Sequence, residues 1–366
     1  MVEHVAKCVG IGVGCLFFVL ILAMGAAPAA ESVGDGSVQR IEAAKKEGQV
    51  VVWHNGPLTE PMLKPFTSKY PFLKVKGWRT RGDDAVIKTI EEAKAGMYNY
   101  DLLLIGEEEI PVIMNASLLA KYDWPNTKGW INQPGHDFYR AIIATAFVPA
   151  FNSKTIPAAE WPKDWEDLKD PKWQGKAIIS SSGADTPLFT AYLWRTKDQE
   201  LNWEKSFAFW REVIQTTKPK VGRGFAGPTE LLATGAAAVM PMTVANTALR
   251  MIWQGAPVKL LPVKRIIARN SVLAIMSRAP HPNAARLFAD YLTSKEGLAL
   301  YADTRGMLVN SPELGKSTKT NKSLADFGIT FEDLPPRFAT EENVTKASNF
   351  WFSELGVKAG KGSKEE

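Results

Sequence analysis

The stretch GQVVVWHNGP, from Gly48 to Pro57, decides the fold class. Its β-branched run, Gln49–Trp53, predicts a strand that is buried on both faces. The polar turn cluster His54–Pro57 ends this strand. Before it, apolar residues at helical spacing predict a helix over Val38–Lys46, which Gly48 terminates. A helix leading into a buried strand and a tight turn is typical of an α/β sheet.

The same alternation continues along the chain. Further strands are predicted over 73–78, 101–105, 141–151, 176–180, 236–240, 258–262 and 271–276. Further helices are predicted over 62–70, 83–95, 187–195, 203–216, 246–253 and 283–292. Strand–helix–strand alternation predicts a mainly parallel sheet with helices on both faces, and therefore an α/β fold class.

Composition excludes several function classes. The 366 residues are enough for two domains, and 45% are hydrophobic and 23% charged, as in ordinary globular proteins. The net charge of +5 is spread along the chain, which argues against a nucleic-acid surface. The chain has no nucleophile elbow and no zinc-protease motif, and His54, His136 and His281 lie far apart. We therefore expect neither an enzyme nor a cofactor, and no metal site.

The N-terminus predicts export. Lys7 precedes a short apolar run, Cys8–Met24, and then the small-residue pattern Ala27-Pro28-Ala29. This arrangement is typical of a cleaved signal peptide over residues 1–30, with a retained membrane anchor as the alternative. Both cysteines lie inside this segment, so the exported chain has none, which suits the periplasm.

Several motifs resemble the type II periplasmic binding proteins, in particular the family that includes ferric-ion-binding proteins. The most specific is WPKDWEDLKDPKWQGK, Trp161–Lys176, with YDLLLIGE at Tyr100–Glu107 and FVPAFN at Phe147–Asn152. The resemblance runs from about Gln39 to about Val309. It implies two α/β lobes, two hinge crossings and a ligand cleft between the lobes, with the crossings near 147–152 and 268–272.

The resemblance also implies a division of the chain and a set of partners. We expect lobe 1 over 31–148 and again over 270–310, lobe 2 over 149–269, a C-terminal helical segment over 311–357 and a flexible tail over 358–366. The implied partners are a small solute and an ABC permease in the cytoplasmic membrane, and the implied state is a monomer.

One departure from the family bears on the ligand. Ferric-binding members place two adjacent tyrosines after the buried strand of the second lobe, and phenolate oxygens suit ferric iron. Here the segment is Thr243–Leu249 and contains no tyrosine. We therefore expect an anionic organic solute, such as a phosphate, phosphonate, sulfonate or carboxylate, and keep ferric iron or an amine as alternatives.

A serine loop and three arginines predict an anion site. Ser180, Ser181 and Ser182 follow a strand and precede a helix, where hydroxyls and free N–H groups bind anions or simply cap the helix. Arg79 and Arg81 follow another strand and could clamp an anion, or pair with Asp83 and Asp84 on the surface. Arg223 either reaches the cleft or lies in a surface turn.

Four further residues complete the predicted site. His54 and Asn55 end the first strand, where open α/β sheets gather ligands, although a lone histidine is often structural. Thr243 and Asn246 stand where the tyrosines would be. We interpret Glu107–Glu109 as a solvated helix start. An amine ligand boxed by Trp53 and Glu107 is a competing hypothesis. A periplasmic sensor and an exported enzyme remain alternatives to a transport protein.

Overall fold

A large mixed sheet organises the chain. The computed structural model describes residues 35–55, 58–79, 82–130, 137–311 and 314–357. The predicted signal peptide (1–30), Arg81, His136 and the predicted tail (358–366) lie outside these ranges. By its contacts the chain divides into a unit that ends at Gln39 and a main unit, Arg40–Glu366. Apart from the start of the first helix, the described helices and strands belong to the main unit.

Strands and helices alternate over the first part of the chain. They are α1 Asp35–Glu47, β1 Gln49–His54, α2 Glu60–Lys69, β2 Lys74–Arg79, α3 Gly82–Lys94, β3 Leu102–Gly106, α4 Ile110–Asn115 and β4 Tyr139–Asn152. The next group is β5 Ile178–Ser180, α5 Thr186–Leu193, α6 Trp203–Thr217, β6 Lys220–Gly222, α7 Ala226–Thr234, β7 Val239–Val244, α8 Ala245–Trp253 and β8 Val258–Leu260.

The rest of the chain returns to the large sheet and then adds a C-terminal segment. Its elements are β9 Arg265–Ile275, α9 Pro282–Thr293, α10 Lys295–Arg305, β10 Leu308–Val309, α11 Lys319–Asp326, β11 Thr330–Asp333, α12 Glu341–Asn349 and a π-helical turn, Phe350–Glu354. The segment predicted as helical, 311–357, thus also contributes a strand.

The large sheet is mixed, so the prediction of a mainly parallel sheet was wrong. Parallel pairing joins β1 to β2, β1 to β3 and β11 to β9. Every other pair in this sheet is antiparallel: β3 with β9, and β4 with β7, β8, β9 and β10. The error has a physical reason. Buried strands of either kind are continuous apolar runs, and only their partners, distant in sequence, fix the direction.

Two long strands, β4 and β9, run through both halves of the main unit. The first part of β4, with the last part of β9, packs on a core that includes Phe66, Phe288 and Trp124. The second half of β4, with the first part of β9, packs on a core built around Trp210 and Trp351. The two strands pair directly, with Thr145 opposite Arg269. Both halves are therefore joined by one two-stranded ribbon.

Candidate functional site

A cavity of about 360 Å³ lies against this ribbon. Its floor is one face of the two strands, because side chains two residues apart point the same way. That face carries Ile143, Thr145 and Phe147 from β4, and Arg269 and Ser271 from β9. The remaining polar lining residues are Asn55, Glu108, Glu109, Asn270 and Tyr301. We call this cavity the cleft.

Arg269 is the cation at the floor of the cleft. Its guanidinium Nη1 donates to Asp185 Oδ2 at 2.7 Å, and its Nη2 pairs with Glu108. The side chain keeps 34% exposure. Glu108 follows β3 and Asp185 immediately precedes α5, so the arginine ties two separate elements to the crossing strand. A ligand with an anionic group can replace either carboxylate as its partner.

The acidic turn Glu107–Glu109 divides between two surroundings. Glu108 and Glu109 line the cleft, whereas Glu107 is 4% exposed and faces away from it. Its carboxylate accepts hydrogen bonds from the Tyr139 hydroxyl at 3.0 Å and the Asn270 amide at 2.7 Å. Burial raises the pKa of the Glu107 carboxyl above its ordinary value. The interpretation of this turn as solvated was therefore wrong.

Two helices begin at the edge of the cleft. Asp185, the partner of Arg269, immediately precedes α5. Val244 precedes α8 and pairs with Phe147 of the floor, and the Asn246 amide in the first turn of α8 donates to Met307 Sδ at 3.4 Å. Free N–H groups at helix N-termini carry partial positive charge. These two helix N-termini therefore lie next to residues that contact or line the cleft, Arg269 and Phe147.

Of the predicted ligand residues within the described ranges, Asn55 lines the cleft. Its backbone N–H donates to Leu104 O at 3.1 Å, which fixes the start of the loop after β1. His54 is buried one residue earlier, in register with Arg79, which is exposed at the end of β2. Trp53 is buried against Tyr100, as expected for a core residue.

Ser180 of the serine loop and Thr243 of β7 use their hydroxyls internally. Ser180 Oγ donates to Gly224 O at 2.7 Å and accepts from the Ser182 N–H at 3.0 Å. Ser181 is buried, while Ser182 and Arg223 are exposed. Thr243 is fully buried, with its hydroxyl 2.7 Å from that of Thr229. Their role in ligand binding stays a prediction.

Sequence reasoning missed the floor of the cleft. Thr145, Arg269, Ser271, Tyr301 and Glu108 were not among the predicted ligand residues. One signal was present: Arg269-Asn270-Ser271 is a polar triplet inside the apolar run IIARNSVLAI, Ile266–Ile275. A buried strand tolerates such a triplet only where its polar groups find partners. No pattern in the neighbouring sequence indicated Tyr301, which lies in α10 and lines the cleft.

Comparison with known proteins settles the family. A family model described as bacterial extracellular solute-binding protein matches residues 110–328, more than half of the chain. The chain belongs to this family. Within the described residues, no helix is long and apolar enough to cross a membrane. The fold can be compared with two solved structures.

Apo ferric ion-binding protein A of Pasteurella haemolytica superposes with a TM-score of 0.66 at 18% identity, covering 86% of this chain and 100% of that one. The periplasmic binding protein AfuA of Actinobacillus pleuropneumoniae, bound to fructose-6-phosphate, gives 0.59 at 20% identity, covering 85% and 99%. These likenesses confirm the two-lobed type II fold with a cleft between the lobes. The lobe boundaries stay predictions.

A curated relative is the Fe(3+)-binding periplasmic protein of Serratia marcescens. It is 27% identical over 115 residues, and the match spans 31% of this chain and 31% of that protein. The chain therefore matches about a third of the length of this relative.

Proposed function

We propose that this extracellular solute-binding protein captures a small organic solute through an anionic group and delivers it to an ABC permease. The observation that carries the proposal is the position of Arg269, half-exposed on the crossing strand at the floor of the cleft. Thr145, Ser271, Asn55 and Tyr301 surround it with hydroxyl and amide donors. Lobe closure would remove water and strengthen each charge-assisted contact.

The binding step is an exchange of partners. Before binding, Arg269 is neutralised by Glu108 and Asp185. An incoming phosphate, phosphonate, sulfonate or carboxylate takes one of these places, and the N-termini of α5 and α8 favour its charge. The released carboxylate turns to solvent. Because the exchange conserves the number of ion pairs, the net gain comes from geometry and from the surrounding donors.

A thermal-shift screen of residues 31–366 tests this proposal. The panel contains phosphorylated, phosphonate, sulfonate and dicarboxylate compounds, polyamines, sugars and ferric citrate. Ligand at about a hundred times its Kd stabilises the folded state by about 2.7 kcal/mol, which raises the melting temperature by a few degrees. We expect a rise with one anionic class. A rise with ferric citrate alone, or a rise with polyamines that Glu108→Gln in the cleft abolishes, would overturn the anionic assignment.

A second candidate function, ferric-iron binding, is supported by the donor types in the cleft. Tyr301, Glu108 and Glu109 are hard oxygen donors. The Serratia relative is named for Fe(3+) binding. Against this stands the missing tyrosine pair, and within the described residues no three His, Cys, Asp or Glu side chains form a metal-binding group. The ferric arm of the screen decides between the two candidates.

A further inference from the structure

A second cavity, of about 480 Å³, lies on the other face of β9. It shares no lining residue with the cleft. Successive side chains of β9 point to opposite faces, so the Asn270 side chain points away from the face that carries Arg269. The Asn270 amide donates to Glu107 Oε2, and Glu107 lines the second cavity. We call it the hinge-side cavity, because it lies beside a crossing strand.

The sheet creates this space where two strands end against β9. In β3, Gly106 pairs antiparallel with Ser271, and in β11, Asp333 pairs in parallel with Ala268. The C-terminal ends of β3 and β11 therefore point towards the same two residues of β9, Arg269 and Asn270. Beyond them the chain diverges, into α4 on one side and into Pro335-Pro336 on the other. Proline has no N–H with which to continue the strand, so the gap stays open.

Two carboxyl groups sit at the base of the hinge-side cavity. Glu107 comes from the end of β3 and Asp333 from the end of β11. Among the described residues, neither forms an ion pair with a lysine or arginine, and Asp333 Oδ1 is buried without a hydrogen-bond partner. Burial raises the pKa of both carboxyls. A buried acid and a half-buried acid that lack a cation are costly to keep ionised.

The rest of the cavity wall is apolar. Ile110 and Met114 of α4 line it together with Leu334, and Tyr139 is a further lining residue. Arg337 also borders the cavity, but it is exposed and its guanidinium stacks over the Phe338 ring at 4.7 Å. A cavity of this size accommodates a small organic molecule. Its acidic base and apolar wall match a molecule with a charged end and an apolar body.

We propose that the hinge-side cavity binds an organic amine, with its ammonium group between Glu107 and Asp333 and its apolar body against Ile110, Met114 and Leu334. An ammonium group supplies the counter-charge that the described residues lack and donates to Asp333 Oδ1. An anion would be repelled by the two acids, and a neutral molecule would leave their charge uncompensated. This site is independent of the ligand in the cleft.

The first test compares three probes of similar size on unsubstituted protein, residues 31–366, by titration calorimetry. They are phenethylamine, phenethyl alcohol and phenylacetate. We expect saturable binding of one phenethylamine, and binding of the alcohol and the acid that is weaker by about tenfold or more. Equal binding of the three probes, or no saturable binding of the amine, overturns the proposal. This comparison needs no substitution.

The second test locates the site. Glu107→Gln and Asp333→Asn keep the shape of the cavity and remove one charge each, so each should weaken phenethylamine binding by about tenfold. The matched control is Glu332→Gln, one residue from Asp333 and paired with Arg195 and Arg265 at the surface, which should keep the affinity of the unsubstituted protein. Unchanged amine affinity in both cavity variants places the amine elsewhere and overturns the proposal.

Discussion

Arg269 Nη1 lies 2.7 Å from Asp185 Oδ2, so the crossing strand β9 is joined by an ion pair to the start of α5. The same guanidinium reaches Glu108 beyond the end of β3. One side chain therefore contacts two elements that lie far apart in the sequence. Substitutions at Arg269, Glu107, Asp101 and Trp351 test the roles of this contact and of three buried groups.

Arg269→Gln should weaken binding of the ligand identified by the thermal-shift screen by about ten- to a hundredfold, because it removes a charge-assisted contact. Calorimetric titration measures the change. The matched control is Arg265→Gln, on the same strand, whose arginine pairs with Glu332 at the surface. That variant should bind normally. An equal loss of ligand affinity in both variants would show that the effect of Arg269→Gln is on the fold of β9 and not on a contact with the ligand.

Glu107→Gln should stabilise the protein more at about pH 8 than at about pH 4. The folded pKa of Glu107 is raised by burial, so the folded state binds this proton more tightly than the unfolded state. The stabilisation from this carboxyl is fully present below its pKa in the unfolded state and is lost as pH rises through its pKa in the folded state. Each unit of difference between these two pKa values corresponds to about 1.4 kcal/mol of stability. Glutamine does not titrate and avoids the loss.

Melting temperatures of the two proteins across this pH range check the prediction. The difference should grow with pH, while the exposed substitution Glu341→Gln on α12 should give a small, constant difference. A difference for Glu107→Gln that does not vary with pH would mean that its carboxyl titrates alike in the folded and unfolded states.

Asp101→Ala should destabilise the protein by roughly 2–5 kcal/mol. The Asp101 carboxylate is fully buried and accepts from the N–H groups of Val51 at 2.7 Å and His281 at 2.6 Å, and its Oδ2 lies 2.9 Å from His281 Nδ1. Alanine leaves these donors buried without an acceptor. Chemical denaturation measures the cost, with the exposed Asp198→Ala as the control. A cost below about 1 kcal/mol would show that water replaces the carboxylate.

Trp351→Ala should cost about 3–5 kcal/mol of stability, and Trp351→Phe clearly less. The indole is buried against Trp210, with ring centroids 5.2 Å apart, and it packs beside Gly183 of the serine loop. Its Nε1 has no hydrogen-bond partner among the described residues, so the cost comes from lost packing. The neighbouring Phe352 is exposed, and Phe352→Ala should change stability by about 0.5 kcal/mol or less. Denaturation midpoints that rank the three variants otherwise would contradict this.

Elements with a strong local signal were predictable from the sequence. The first strand was placed at Gln49–Trp53 and occupies Gln49–His54, and the helix predicted over 203–216 occupies Trp203–Thr217. The fold class was predictable because three motifs carried a family resemblance, and the solved structures confirm it. The antiparallel crossing pair was not predictable in this way, since Thr145 and Arg269 are brought together only by the whole sheet.

The candidate site was much less predictable than the fold. Asn55 follows a buried strand, which is a general ligand position, and it lines the cleft; its role in ligand binding stays a prediction. The hydroxyls of Ser180 and Thr243 have the right chemistry, yet their orientation depends on Gly224 and Thr229, which contact them only in the folded chain. Sequence gives the donor type, whereas neighbours distant in sequence decide where it points.

The paired strands β4 and β9 restrict how the two halves of the molecule can move. Strands that are hydrogen-bonded side by side cannot slide past each other without breaking the ladder between Tyr139 and Phe147. They can only flex and twist as one strip. Such a strip allows few independent directions of motion, so the two halves should move relative to each other mainly by bending and twisting about β4 and β9.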